Sequence, residues 1–324
     1  MKVLITGVAG FVGSTLAHRL LSMGQEVVGI DSVNDYYSRD LKYLNIRGLC
    51  SQYGFTFHEE NLASSPLSER LKDVEVVFHQ AGQPGVRKSW GQNFSHYLDW
   101  NVLGTQKLLE ACKSEEQLTR MVYASSSSVY GNATHYPTRE QDLPQPISPY
   151  GVSKLAAEHL VTLYAKNYGL PTVSLRYFTV FGPRQRPDMA FTRFVTAAQT
   201  NDTITVFGNG DQVRDFTYVD DVVEANLAAA FTASTPSGSV YNVSGGSSVS
   251  VNEILETVEE IHGCPLNIQY VSQSLGDAVR TGGDSTKIRS DLGWSPRVTV
   301  RDGLERQYLW ARENLQLLAP VIAE

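Results

Sequence analysis

Lys2-Val3-Leu4-Ile5-Thr6-Gly7-Val8-Ala9-Gly10-Phe11-Val12-Gly13 joins a short apolar run to three glycines spaced Gly-x-x-Gly-x-x-Gly. The helical pattern STLAHRLLSMG (Ser14 to Gly24) follows at once. Glycine at such a turn adopts backbone angles other residues resist, and the helix it opens presents unpaired N–H groups and a partial positive charge, which suits a pyrophosphate. Three glycines alone mark a tight strand-to-helix turn as readily as a nucleotide site. Here a strand pattern precedes them and a helix pattern follows. The next apolar run, Glu26 to Ile30, leads directly into Asp31. A carboxylate at that place accepts hydrogen bonds from an adenosine ribose and repels a 2′-phosphate, so NAD rather than NADP is expected. Gly7, Gly10 and Gly13, the adjoining Phe11 and Val12, and Asp31 are the first candidate cofactor contacts.

Outward from this turn the alternation continues. Phe55 to Glu59, Val74 to Gln80, Arg120 to Ser125 and Pro171 to Phe178 are rich in Val, Ile and Phe, as strands buried on both faces should be. Helical patterns lie between them, over about 89–113 and over Ser148 to Gly169. Strand and helix in strict alternation predict a doubly wound parallel (Rossmann) sheet, an α/β fold. After Phe178 the texture turns loop-like, with several Arg and turn-rich stretches at Ser244 to Val251 and Gly276 to Ser285. Residues 1–178, taking back about 215–240, are therefore expected to form the cofactor domain, and 179–324 mainly a smaller α/β substrate-binding domain.

Composition narrows the class. The 324 residues, 42% hydrophobic and 19% charged, are those of a folded protein with room for about two domains. With 27 Lys+Arg against 34 Asp+Glu, the net charge of −7 argues against nucleic acid or an anionic membrane as a partner. Three separated cysteines, Cys50, Cys112 and Cys264, encode neither a disulfide framework nor a zinc ribbon. Seven scattered histidines lack metal-ligand spacing, so no metal is expected. No apolar stretch is long enough to span a bilayer, and the broken apolar start is no signal peptide, so a cytoplasmic protein is expected. Trp90, Trp100, Trp294 and Trp310 show no stacking periodicity and read as packing residues.

Tyr150 and Lys154, in YGVSK, lie four apart at a predicted helix start and project from one face. Upstream, YASSSSVYG (Tyr123 to Gly131) ends a strand whose carboxyl end faces the cofactor crevice. A tyrosine whose pKa is lowered by a neighbouring ammonium and by a positive nicotinamide can take a proton from a substrate hydroxyl, and a serine can hold that oxygen.

GVAGFVG, ASSSSVYG and YGVSK, in that order, resemble the extended short-chain dehydrogenase/reductases, in particular the nucleotide-sugar epimerases and dehydratases, over nearly the whole chain. The resemblance implies Tyr150 as catalytic base, Lys154 on the nicotinamide ribose and Ser126 on the reacting oxygen. It places Asn61 and Leu62 near adenine, and Gln80, Ala81, Gly82, Asn101 and Tyr177 along the cofactor. It also implies a homodimer through the helices over about 89–113 and 149–167. Family dehydratases carry Asp-Glu where Ser127 and Ser128 stand, and decarboxylases carry Glu at Ser128. Their absence leaves a 4-epimerase, an isomerase that removes hydride at carbon 4, turns the 4-keto sugar and returns the hydride.

The run RYFTVFGPRQRPDMAFTRF (Arg176 to Phe194), with VNDYY (Val33 to Tyr37) and PGVRKSW (Pro84 to Trp90), is similar to UDP-glucuronate 4-epimerases, with Thr179 where enzymes of neutral UDP-sugars have Asn. A uronate carboxylate needs donors and no nearby Asp or Glu, and Ser127 and Thr179 are neutral donors. Arg87, Arg186, Arg193 and Arg214 are candidate diphosphate partners, with Arg184 adding to the positive charge, and Asp277 matches a carboxylate on the uridine ribose. Where galactose 4-epimerases often carry Arg two residues before that Gly-Asp pair, Ser274 stands here. The expected activity is interconversion of UDP-glucuronate and UDP-galacturonate; UDP-glucose/UDP-galactose epimerisation and a non-catalytic NAD-binding regulatory protein are the alternatives.

Overall fold

The computed structural model describes residues 1–272 and 280–322. Six strands arise in the first half: β1 (Lys2–Thr6), β2 (Glu26–Asp31), β3 (Phe55–Glu59), β4 (Val76–His79), β5 (Arg120–Ser126) and β6 (Thr172–Tyr177). Then come β7 (Thr179–Phe181), β8 (Ile204–Phe207), β9 (Val213–Arg214), β10 (Phe216–Tyr218), β11 (Ser239–Val243), β12 (Val249–Ser250) and β13 (Ile268–Val271). One sheet runs β11-β6-β5-β4-β1-β2-β3, every neighbour parallel. The doubly wound α/β reading therefore holds. Strand order reverses between β1 and β4, which opens a crevice at their carboxyl ends.

Residues buried on both faces build the centre: Val3, Leu4 and Ile5 of β1 and all of β4 are inaccessible or nearly so. One face of the sheet is covered by the helices Phe11–Ser22 and Val219–Phe231, through Leu16, Leu20, Val222 and Val223. The other is covered by Gly104–Cys112 and Pro149–Tyr168, through Leu108, Leu109, Val161 and Tyr164. Three two-stranded sheets, β10 with β7, β12 with β9 and β13 with β8, stand over the carboxyl edge of the large sheet with the helices Ala190–Thr200 and Val251–His262.

The helix expected over about 89–113 is broken. Single 3-10 turns at Arg87–Ser89 and Gly91–Asn93 lead into Phe94–Tyr97, a π-helical stretch at Leu98–Leu103 and the α-helix Gly104–Cys112. The π-stretch turns Asn101 inward, where its Nδ2 donates to Gln83 O (3.1 Å) and Ser153 Oγ (2.9 Å) and its Oδ1 accepts from Gln83 N (2.6 Å). The sequence reading lacked the helix Arg39–Arg47, whose inner face includes polar Lys42 and Asn45, and edge strand β11, whose Ser, Tyr and Asn dilute its apolar pattern, as well as the helices that follow Phe178. Of the tryptophans, Trp294 is buried and donates to Asp221 O (2.9 Å), whereas Trp90 is 50% exposed and does not pack as expected.

Candidate active site

The glycine turn is built by close approach. Gly7 has φ +73°, and a Cβ there would stand 2.7 Å from Ala81 N; one on Gly13 would stand 2.2 Å from Gly7 O. The turn can pass between β1 and β4 only without side chains. Asp31 fixes it from β2, its Oδ2 accepting from Ala9 N (3.0 Å) and its Oδ1 from Val33 N (2.8 Å). Burial raises the Asp31 carboxyl above the usual range while those amides and the Lys42 ammonium pull it down. Lys42, which sequence reasoning missed, donates to Asn34 O (2.7 Å) and lies 4.7 Å over the Tyr37 ring. Nothing in the sequence marked it, because the helix that carries it was itself not expected.

A cavity of about 910 Å³ runs from this turn across the carboxyl ends of the strands. Gly7, Gly10, Phe11, Val12, Gly13 and Asp31 line one end, with Asn61 and Leu62 beside them. Ala81 and Gly82 line its middle, as do Gln80 and Tyr177, whose side chains are tied to each other (3.2 Å) and to Asn226 Oδ1 (3.0 and 2.9 Å). Asn101 stands behind the wall, and a Cβ on Gly82 would meet its Oδ1 at 2.9 Å.

Ser126, Ser127, Tyr150 and Lys154 meet at the far end. Ser148 caps their helix by accepting from Gly151 N (3.1 Å), and Pro149 starts it. Gly151 allows contact with the serine turn, since a Cβ there would lie 2.6 Å from Ser128 O. Ser126 Oγ accepts from Ser128 N (3.1 Å), and its hydroxyl lies close enough to the Tyr150 phenol to lower its pKa. Lys154 lies 4.5 Å over the buried Tyr123 ring. Burial pushes its ammonium down to about 7, against the opposing pull of Glu158. The Tyr150 phenol was expected to be depressed by ammonium and nicotinamide together. The protein's own groups leave it raised, because burial outweighs the Ser126 hydrogen bond and the Arg186 charge. Next to Lys154, His79 is buried between Thr6 Oγ1 (2.7 Å) and Thr105 Oγ1 (2.9 Å) and held to about 3 by burial, hence neutral.

The arginines separate. Arg186 forms a two-point ion pair with Asp188 (Nε–Oδ1 and Nη2–Oδ2 both 2.9 Å), and its charge reaches Tyr150. A carboxylate thus does line the cavity, contrary to the expectation for a uronate site, but it is neutralised in place. Arg193, Arg214 and Thr179 also line the cavity. Arg87 lies 4.2 Å over the Phe207 ring of β8. Arg184 does not join them: it faces a separate hollow with His18 and Asp220, so it does not add to the positive charge of the cavity as expected. Asp277 and Ser274 lie outside the described residues.

A glycine turn on a parallel sheet, a ribose-level carboxylate and a Ser, Tyr, Lys cluster at the other end of one cavity define a dinucleotide-dependent enzyme of the short-chain dehydrogenase/reductase class. The chain belongs to the NAD dependent epimerase/dehydratase family, whose model matches residues 3–244. It is 39% identical to an uncharacterized UDP-glucose epimerase of Bacillus subtilis (strain 168), over 95% of this chain and 96% of that one. It is 35% identical to a UDP-glucuronate 4-epimerase of Thermodesulfobacterium geofontis, over 98% of each. Among solved structures, a UDP-glucuronic acid 4-epimerase from Bacillus cereus in complex with UDP-glucuronic acid and NAD superposes with a TM-score of 0.93 at 42% identity, over 97% of this chain and all of that one.

Proposed function

We propose that the protein is an NAD-dependent 4-epimerase that interconverts UDP-glucuronate and UDP-galacturonate. The observation that carries the acidic substrate is Arg186, a cation that lines the same cavity as Tyr150, bears on that phenol through its charge, and holds the Asp188 carboxylate already paired. From the sequence Arg186 is grouped with the diphosphate; the bearing of its charge on Tyr150 supports the sugar carboxylate instead. The uncharacterized Bacillus subtilis relative keeps UDP-glucose and UDP-galactose as a second reading.

The tight turn that Gly7 and Gly13 allow by packing against Ala81 N and Gly7 O, together with the carboxylate of Asp31, fits NAD. NAD would supply, when bound, a hydride acceptor and donor at carbon 4. Gly10, Phe11 and Val12 would face the pyrophosphate, Asp31 the adenosine ribose, Asn61 and Leu62 the adenine, and Gln80, Ala81, Gly82 and Tyr177 the remainder, with Asn101 holding the wall. Ser126 orients the 4-oxygen, Tyr150 takes its proton and later returns it, and Lys154 in its charged form stabilises the phenolate that results. Ser127, Thr179 and Arg186 hold the carboxylate, which steadies a β-keto acid that otherwise loses carbon dioxide. Arg87, Arg193 and Arg214 are left for the diphosphate, and Asp277 for the uridine ribose.

Residues 1–178 with about 215–240 act as the cofactor body, and the rest as the sugar-selecting cap. Leu98, Leu103, Val152, Leu163 and Tyr168 are exposed on adjacent helices, which supports a homodimer through that face. No helix among the described residues is long and apolar enough to cross a membrane, and a cytoplasmic location is our reading. Incubation with a panel of UDP-sugars tests the substrate: UDP-glucuronate untouched while UDP-galactose is epimerised would sink the first reading. Tyr150→Phe should lose about 100-fold or more in kcat while still binding UDP.

A further inference from the structure

Asp215, at the kink between β9 and β10, is 2% exposed. Its Oδ2 accepts from Ser244 Oγ (2.5 Å) and Gly283 N (3.2 Å), while Oδ1 is buried without a hydrogen-bond partner among the described residues. Its main chain is equally engaged: its carbonyl accepts from Thr179 N (3.1 Å), and its N–H donates to Thr281 Oγ1 (3.3 Å). Thr281 N in turn donates to Val213 O (3.1 Å), and Arg280 bridges Val213. The junction is filled to contact. A Cβ on Gly283 would stand 2.5 Å from the Phe178 ring, and one on Gly245 would stand 2.0 Å from Phe216 O.

No Lys or Arg forms an ion pair with this carboxylate among the described residues. A buried charge with no cation costs stability, and a neutral side chain could fill the same space. What an ionised carboxylate offers is acceptance alone: it collects N–H and O–H donors from several loops and brings no donor of its own needing a partner. The groups gathered here are those that position two cavity-lining residues. Arg214 is its chain neighbour, and Thr179 hangs from its carbonyl.

We infer that Asp215 is a positioning residue for nucleotide-sugar binding, tying the strand that carries Arg214 to the loops at Ser244–Gly246 and Thr281–Gly283 so that Arg214 and Thr179 present to the cavity from fixed places. This rests on the reading of Arg214 as a diphosphate ligand. Burial, which raises the Asp215 carboxyl to about 6, leaves it ionised at neutral pH.

The test is calorimetric titration of the NAD-loaded protein with UDP, together with NAD content and steady-state kinetics. Asp215→Ala should weaken UDP binding and raise KM about tenfold while kcat changes less than about twofold and NAD is retained. Asp215→Asn, which keeps one acceptor oxygen for Ser244 and Gly283, should recover most of the loss. UDP affinity unchanged in Asp215→Ala overturns the inference, and so does an equal loss of NAD and kcat, which would mark a general structural role. If Asp215→Ala does not fold, Ser244→Ala is read in the same way, with about a threefold loss expected. Arg214→Ala separates the two ideas. If it leaves UDP affinity intact, the diphosphate reading fails; if it weakens binding while Asp215→Ala does not, only the positioning role fails.

Discussion

Glu158 grips Arg176 at two points, Oε1–Nη2 at 2.6 Å and Oε2–Nε at 3.0 Å, one helical turn beyond Lys154 and wholly inside the protein. Ser125 Oγ donates to the same carboxylate (2.6 Å), and Arg176 Nη1 reaches Tyr130 OH (2.8 Å), whose hydroxyl donates to Asn242 Oδ1 (2.7 Å). The pair thus locks the helix of Tyr150 and Lys154 to β5, β6 and β11. Removing one partner strands a buried charge, so Glu158→Gln should destabilise the protein by about 3 kcal/mol or more in urea denaturation. Glu158→Gln with Arg176→Met, which leaves no charge behind, should recover much of that loss. Equal destabilisation in the single and double variants would show that packing, not charge, holds this layer.

Stability should also follow pH through Asp215. Its folded value, about 6, lies above the ordinary 3.8, chiefly because burial disfavours the ionised form. A group raised in the folded state binds protons more readily there than in the unfolded chain. Its contribution is therefore full below about pH 4 and is lost as pH rises through 6, an amount of about 3 kcal/mol. Asp215→Asn lacks this dependence. The gap between variant and wild type in urea midpoint should move in favour of the variant between pH 4 and pH 7, and a gap independent of pH would contradict the raised value.

Most of the cofactor half could be read directly. β1 and β4 fall within the apolar runs that place them, because strands buried on both faces leave an unmixed signal, whereas β3, expected to be buried in the same way, is a half-exposed edge strand. The same logic hid β11, an edge strand with Ser239 and Asn242 among its five residues. At the site, fixed spacing made Tyr150 and Lys154 legible: one helix turn carries both. Lys42 and Asp215 were not legible as site residues, since their importance comes from loops that meet only in three dimensions. Arg184 and Arg186 show the limit most plainly. They are two residues apart in one run, yet Arg184 has φ +70° and faces a hollow with His18 and Asp220, while Arg186 pairs with Asp188 in the large cavity.

Asp31 should decide the cofactor. Both its oxygens accept from backbone amides, of the glycine turn and of Val33, so Asp31→Asn removes the charge at near-constant size but gives up one of the two acceptors. Lys42 already stands beside this carboxylate. With the charge neutralised, a 2′-phosphate would meet a cation and no anion. The ratio of NADP to NAD dissociation constants, measured by fluorescence titration after NAD removal, should narrow about tenfold or more. A ratio that does not move would place the discrimination elsewhere.

Arg186 should decide the sugar. Its guanidinium is fixed by Asp188 through Nε and Nη2, and it lines the cavity that Tyr150 also lines. A carboxylate on carbon 5 lies one carbon from the 4-hydroxyl that Tyr150 serves, so a cation at this place would contact a uronate and have no charged partner in a neutral hexose. Arg186→Leu alone would strand the Asp188 carboxylate, so the informative variant pairs it with Asp188→Asn. For this pair kcat/KM on UDP-glucuronate should fall about 10- to 100-fold, the range for one lost charged hydrogen bond, against less than about fivefold on UDP-glucose. Equal losses on both substrates would mean that Arg186 serves Tyr150 or the diphosphate, and the preference for an acidic sugar would then have to come from Ser127 and Thr179.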